Sequence, residues 1–220
     1  MVKKEIYSKT KRIPNNGVSF RYTEKLDGAN LVFAKKNGKL HICQRKNIFT
    51  LDEMDKMKGK FYRGLEGWLN EHGKELEEEL CEGSAICGEW LGMGAIKYSE
   101  SEFTKRWYMF AKANMDDEYN LYNIMYDHDL FGFPFEGGEM PFYLGVVPVI
   151  HVCPTTLFYG VVCTVAPNKA ILDVIYEQYC DYVKRPVEGI VIEYNNTITK
   201  YVRYKNGKMC EYDADEHKSR

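Results

Sequence analysis

The chain has 220 residues, 45% of them hydrophobic and 28% charged, with a formal net charge of −2, a globular composition sized for one large domain or two small ones. No apolar run approaches membrane-spanning length, and no apolar stretch follows Met1-Val2-Lys3-Lys4-Glu5, so neither a membrane span nor a secretory signal is expected. Seven cysteines, an odd number without a Cys-x-x-Cys pair, argue against zinc and against a disulfide framework; reduced thiols in a cytoplasmic setting are the expectation.

In chain order, Val18, Phe20 and Tyr22 mark a strand over 17–23. Residues 31–43 read as a hairpin: Leu31, Val32 and Phe33 lead to an Asn37-Gly38 turn, and Leu40, Ile42 and Cys43 return. Thr50-x-x-Glu53 has the pattern of a capping box. After it, Leu51, Met54, Phe61, Leu65, Trp68 and Leu69 recur at helical spacing, weakened by Gly64 and Gly67 and expected to stop at His72-Gly73. A short charged helix over 74–81 should follow. Ser84 to Leu91 and Trp107 to Ala111 read as strands. Residues 116–142 are turn-rich, aromatic and acidic, with a short helix expected around Leu121 to Met125. Val146 to Val152 reads as a strand interrupted by Pro148. Ile171, Val174, Ile175, Tyr179 and Tyr182 mark a helix capped by Asn168 after Pro167. Glu188 to Tyr194 and Thr199 to Tyr204 are two late strands, and Asp213 to Arg220 is a polar tail. This order predicts an α+β fold with mainly antiparallel sheets flanked by helices.

Charge is unevenly spread. No Lys or Arg occurs from Ala113 to Asn168, while Asp116, Asp117, Glu118, Asp127, Asp129, Glu136 and Glu139 lie there. Cations gather in Lys3, Lys4, Lys9, Lys11 and Arg12, in Lys35, Lys36, Lys39, Arg45 and Lys46, and in Lys200, Arg203, Lys205 and Lys208. If those segments meet in the fold, they form a basic face suited to a phosphate backbone; taken singly, each is an ordinary solvated face.

Thr23-Glu24-Lys25-Leu26-Asp27-Gly28-Ala29-Asn30 sets one lysine between the first strand and the hairpin. A lysine there can be a surface cation or a nucleophile. An ordinary lysine is only about 0.04% neutral amine at pH 7, a cost of about 4.6 kcal/mol, which neighbouring cations reduce. Farther on come Gly88-Glu89-Trp90-Leu91-Gly92-Met93-Gly94-Ala95-Ile96-Lys97, a strand containing Phe110, Glu188-Gly189 before an apolar strand, and Arg203-Tyr204-Lys205-Asn206-Gly207-Lys208-Met209-Cys210-Glu211.

These motifs, in this order and on these elements, resemble the covalent-lysine nucleotidyltransferase superfamily, which holds polynucleotide ligases and mRNA capping enzymes. Asn30, completing Lys-x-x-Gly-x-Asn, and the long third and last motifs are most similar to the phage-type nick-sealing, ATP-dependent RNA ligases. The resemblance spans about residues 18–212 and implies a nucleotidyltransferase (ATP-grasp-like) catalytic domain over 1–212, with 213–220 as tail; as a departure from the family pattern, no C-terminal OB-fold or helical domain is visible. It implies that Lys25 attacks the α-phosphate of ATP, with Arg203, Lys205 and Mg²⁺ (or Mn²⁺) disfavouring the ammonium and taking up phosphate charge. It implies further that Glu188 and Asp27 hold the metal, that Glu24, Asp27, Gly28, Glu89, Phe110 and Arg45 bind the nucleotide, and that Asn30, Arg45 and Lys46 meet the RNA. The partners implied are ATP and RNA with 5′-phosphate and 3′-OH ends, as in a nicked duplex, and a monomer is expected. Arg203 stands where the family usually has lysine; charge is kept, but a planar fork replaces a point charge. A capping-type guanylyltransferase, a DNA ligase and a non-catalytic nucleic-acid-binding module are the alternative readings. Gly67 to Lys74 fails as a P-loop, because five residues separate its glycines and Glu75 follows the lysine. His151-Val152-Cys153, in an apolar stretch, reads as packing.

Overall fold

The computed structural model describes residues 20–45, 47–126, 134–150, 168–194, 197–205 and 208–209. The strands are β1 (Arg21–Lys25), β2 (Ala29–Lys36), β3 (Lys39–Gln44), β4 (Asn47–Thr50), β5 (Ser84–Trp90), β6 (Trp107–Met115), β7 (Leu121–Met125), β8 (Gly145–Val146), β9 (Gly189–Tyr194), β10 (Thr197–Val202), β11 (Tyr204–Lys205) and β12 (Lys208–Met209). The helices are a 3₁₀ segment, Leu51–Met57, then α1 (Leu65–Glu79) and α2 (Lys169–Val183). Gly28–Val146 form one compact unit; the described residues up to Asp27 and from Val147 onward form a second. The architecture is α+β with mainly antiparallel sheets, as the sequence predicts. Among the described residues no helix is long and apolar enough to cross a membrane.

The larger unit is built on a seven-stranded sheet, ordered β4-β3-β2-β5-β6-β7, with β8 added in parallel to β6. The β2–β3 hairpin turns at Asn37 (φ 52°) and Gly38 (φ 70°), two left-handed residues whose twist suits a two-residue hairpin loop. Strand alternation gives the sheet two different faces. Leu31, Phe33, Leu40, Ile42, Ile86, Trp90, Trp107 and Met109 form one core with Leu65, Trp68, Leu69 and Leu76 of α1. The other face is lined by Val32, Ala34, Cys43, Ala85, Cys87, Ala111, Ala113 and Met115, mostly small side chains. Trp107 and Met109 belong to the first face, yet Ala111 and Ala113 belong to the second. The reason is a bulge: Cys87 pairs with Ala111 and Gly88 with Met109, leaving Phe110 as the extra residue. One extra residue reverses the in-out phase of everything after it.

The smaller unit is a three-stranded antiparallel sheet, β1-β9-β10, with α2 across one face. Leu172, Ile175, Tyr176 and Tyr179 pack on Tyr22, Val187, Ile190, Ile192 and Tyr201. The Asn168 side chain caps α2, accepting from the Ile171 N–H at 3.1 Å.

Three local expectations need correction. The helical periodicity from Leu51 is split by a loop containing Gly59 (φ 76°) and Gly64 (φ 80°), and α1 then runs unbroken through His72-Gly73. Gly73 is a packing position: a Cβ there would strike the Leu51 side chain, so the missing carbon lets the 3₁₀ segment lie against α1. The separate helix over 74–81 is therefore the last turns of α1. Second, Leu121–Met125 is strand β7, because Asp116 folds the chain back onto β6. Its Oδ1 accepts from the N–H groups of Glu118 (2.9 Å) and Asn120 (2.8 Å), an Asx-type turn that a reading of periodicity misses. Third, of the strand expected over Val146 to Val152, the described residues through Ile150 hold only the end of β8 and a bridge from Val149 to Thr23. Residues 17–19, 151–153 and 213–220, and the cations from Lys3 to Arg12, lie outside the described residues.

Gly88 lies beneath the fully buried Trp107 indole, whose N–H donates to the Leu31 carbonyl at 3.1 Å. A Cβ on Gly88 would fall inside that ring. Gly88→Ala should cost about 1–3 kcal/mol through overpacking, read as a lower urea midpoint at unchanged slope.

Candidate active site

Antiparallel register places the lysine. Lys25 ends β1 opposite Gly189, the first residue of β9, so Glu188 arrives beside it. The Lys25 ammonium donates to Glu188 Oε2 at 2.6 Å, with side chains 21% and 14% exposed. Burial pushes the Glu188 carboxyl above its ordinary range; the Lys25 charge pulls it back only in part, and the Asp27 charge adds to the rise. The backbone fixes Glu188 as well, since its carbonyl accepts from the N–H groups of Arg203 and Tyr204, both at 2.9 Å.

Strand alternation sends Glu24 to the opposite face of β1 from Lys25. Glu24, which the resemblance puts among the nucleotide-binding residues, has its carboxylate fully enclosed and occupied. Arg185 donates to both oxygens, at 2.6 and 2.7 Å, and the Tyr179 hydroxyl donates at 2.7 Å. The Tyr179 bond ties β1 to α2, and the bidentate Arg185 pair ties it to the segment entering β9.

Arg203 also faces α2. Its guanidinium pairs with Asp173 and donates to the Tyr201 hydroxyl at 2.7 Å, and it lies 5.6 Å from the centre of the Tyr176 ring. Its Nε is buried without a partner. Lys205, two residues on, is exposed on β11. The two cations of the last motif are therefore separated in environment: one built into the unit, one exposed.

In the larger unit, Asn30 and Glu89 are register partners on β2 and β5. Alternation puts both on the small-residue face, since Val32 and Ala34 share it with Asn30, and Ala85 and Cys87 with Glu89. Phe110 is half-buried at the edge of the same cluster, turned there by the bulge. Gly28 sits so close to β5 that a Cβ would overlap the Trp90 carbonyl and the Glu89 side chain. Arg45 follows β3 in a left-handed conformation (φ 54°) and is exposed. Lys46, Asn206 and Glu211 lie outside the described residues. The boundary between the units falls between Asp27 and Gly28, inside the lysine motif.

Among the described residues no group of three or more His, Cys, Asp or Glu could hold a metal by itself. Glu188 and Asp27 are near enough for Asp27 to act on the Glu188 carboxyl. Such a pair suits Mg²⁺, which binds through one or two carboxylates and takes its other oxygens from water and substrate phosphates. The donor set fits.

The family model for RNA ligase matches residues 18–205. The chain belongs to the RNA ligase family. A search of curated proteins finds no match. Among solved structures, an archaeal ATP-dependent RNA ligase is 14% identical, with a TM-score of 0.43, over 86% of this chain and 43% of that one. A mutant of the Naegleria gruberi RNA ligase, solved with ATP and Mn, is 16% identical, with a TM-score of 0.43, over 86% and 50%. The ligase domain of LigD from M. tuberculosis is 9% identical, with a TM-score of 0.36, over 90% and 55%. The chain thus spans about half the length of the solved structures it matches.

Family motifs do not disclose every residue that contacts the motif residues. Arg185, Tyr179 and Asp173 carry no motif; the only hint is a basic residue, Arg185, just ahead of Glu188. Tyr62, which touches the Asn30 backbone, sits beside Phe61 in what reads as a helical stripe. The motif residue Gly67, with Lys74, lies within α1, which removes any phosphate-binding loop there.

The enclosed Glu24 carboxylate depends on Arg185. Arg185→Ala leaves a buried charge uncompensated and should cost about 3–5 kcal/mol, measured by urea unfolding. Arg185→Lys should recover only part of this, because a point charge cannot serve both carboxylate oxygens.

Proposed function

We propose that this chain is the adenylyltransferase part of an ATP-dependent RNA ligase of the nick-sealing kind, working through lysyl-AMP on Lys25. The observation that carries the reading is the Lys25–Glu188 contact at 2.6 Å, at the point where β1 and β9 meet. A nucleophilic amine must first shed a proton, which Lys205 and a metal ion on the phosphates would favour by disfavouring the ammonium, while Glu188 holds Nζ in place. The Lys25 Nζ lone pair then attacks the α-phosphorus of ATP. A phosphoramidate N–P bond forms, the bond to the β-phosphate oxygen breaks, and pyrophosphate leaves. A 5′-phosphate oxygen of the RNA next displaces the lysine to give a 5′–5′ adenylate. Finally the 3′-OH attacks that 5′-phosphate and AMP leaves.

The remaining roles divide by environment. Phe110 stacks on adenine and Glu89 binds the ribose, both on a sheet face of small side chains that leaves room for a planar group. Lys205 takes phosphate charge, while Arg203, already paired with Asp173 and Tyr201, holds the strand end that carries it. Mg²⁺ held by Glu188 and Asp27 would neutralise triphosphate charge and orient the α-phosphate for in-line attack. Asn30 and Arg45 act on the polynucleotide, whose phosphate backbone a cation meets without reading sequence.

The experiment is label transfer. Wild-type protein should take label from α-labelled ATP and not from GTP, and Lys25→Ala should take none while still sealing a nick supplied with its 5′-adenylate. Labelling from GTP alone, or labelled Lys25→Ala, would overturn the reading.

Glu188 gives a pH prediction. Its carboxyl is raised, so on acidification the carboxylate is lost earlier than an ordinary glutamate's. The rate of lysyl-AMP formation in a single turnover should fall as pH drops through a value above the ordinary 4.5.

A further inference from the structure

α2 carries no family motif, yet it grips the backbone that presents Glu188. The ladder between β1 and β9 begins at Gly189, opposite Lys25, so Glu188 stands one residue ahead of it. Strand alternation does not aim this side chain either. Val187, Ile190 and Ile192 all lie in the core under α2, a step of three residues followed by one of two. Glu188 falls inside the irregular step, where the two-residue period gives no direction.

Its direction comes from the two peptides that flank it. The Tyr176 hydroxyl donates to the Val187 carbonyl at 2.8 Å and so holds the peptide entering Glu188. The Arg203 and Tyr204 N–H groups donate to the Glu188 carbonyl, both at 2.9 Å, and hold the peptide leaving it. Gly189 permits this approach, since a Cβ there would overlap the Tyr201 carbonyl. Tyr176 stands behind both holds. It is 4% exposed, its ring lies 5.6 Å from the Arg203 guanidinium, and it meets the Tyr201 ring edge-on at 6.4 Å. With both peptides held, the Glu188 backbone has little freedom, and its carboxylate is preset at 2.6 Å from the Lys25 Nζ.

We propose that Tyr176 is a positioning residue for lysyl-AMP formation: its hydroxyl sets the Val187–Glu188 peptide, and through it the carboxylate that holds the Lys25 amine, a role that rests on the ligase reading and deepens it. An attacking atom must lie in line with the bond it breaks, and a misplacement of about 1 Å can cost about a hundredfold in rate. The ring of Tyr176 has a separate task in the core with Leu172, Ile175 and Val187. Removal of the hydroxyl alone separates the two.

The test is Tyr176→Phe, which keeps the buried ring. In a single turnover, the maximal rate of lysyl-AMP formation should fall about tenfold, the order of one hydrogen bond. The ATP concentration giving half that rate should stay within about twofold, because orientation is lost rather than binding. Asn168→Ala is the control. Asn168 caps the same helix, so its loss weakens α2 at a distance from Glu188, and lysyl-AMP formation should stay within about twofold of wild type. Both variants are assayed where circular dichroism shows them folded. Amide hydrogen exchange is the second readout: the Arg203 and Tyr204 N–H groups should exchange faster in Tyr176→Phe than in Asn168→Ala, because the carbonyl they share is loosened. Lysyl-AMP formation at the wild-type rate by Tyr176→Phe, or equal slowing by both variants, overturns the inference while the ligase reading stands. Wild-type protein that takes no label from ATP overturns the ligase reading, and this inference with it.

Discussion

The pairing of Lys25 with Glu188 joins the two strand ends around which the smaller unit is arranged, and it is produced by strand register. Lys25 and Gly189 are opposed at the ends of β1 and β9. A shift of one residue would send Lys25 to the face now holding Glu24, among the apolar side chains of α2. The register is in turn held from the other side of the strand. Glu24 is locked by Arg185 and Tyr179, and Tyr22 lies in the core with Leu172 and Ile175. Buried ion pairs often add little net stability. Here the bidentate geometry supplies specificity, because a carboxylate with no other partner admits a single register.

The last motif shows the same division of labour. Two cations two residues apart would share a face on a regular strand, yet Arg203 and Lys205 have different surroundings. Arg203 follows the end of β10, where its N–H and that of Tyr204 both turn onto the Glu188 carbonyl. The guanidinium then lies against Tyr176 and Tyr201 and pairs with Asp173. Arginine suits that place better than lysine, since a planar cation can stack on rings and hydrogen-bond in its plane at once. The departure from the family's usual lysine therefore has a local physical account.

Much of this was legible in the sequence wherever local chemistry decides. Asn37-Gly38 specifies its hairpin, Asn168 specifies the start of α2, and the lysine motif falls on the strand end where it was expected. What was not legible depends on distant partners. Gly73 looks like a helix stop because its reason for being glycine, the Leu51 side chain, lies in another element. Leu121 to Met125 looks helical because the turn that returns it to β6 is made by one aspartate side chain. That the Glu24 side chain is enclosed by Arg185 and Tyr179 depends on two partners far along the chain, which the motif around Lys25 does not show. Tyr62 and Arg185 could not be found at all without the loop and the helix that carry them.

The extra residue at Phe110 bears on how this strand can change over time. In an unbroken strand, every second side chain shares a face with the core, so enlarging one forces its neighbours to adjust. Phe110 has no opposite number on β5, and the residues beside it, Met109 and Ala111, answer to different faces. Its size and polarity can drift without disturbing the register on either side. A protein so arranged can try different aromatic or amide side chains at one point of a sheet face while the remainder of its sheet is inherited intact.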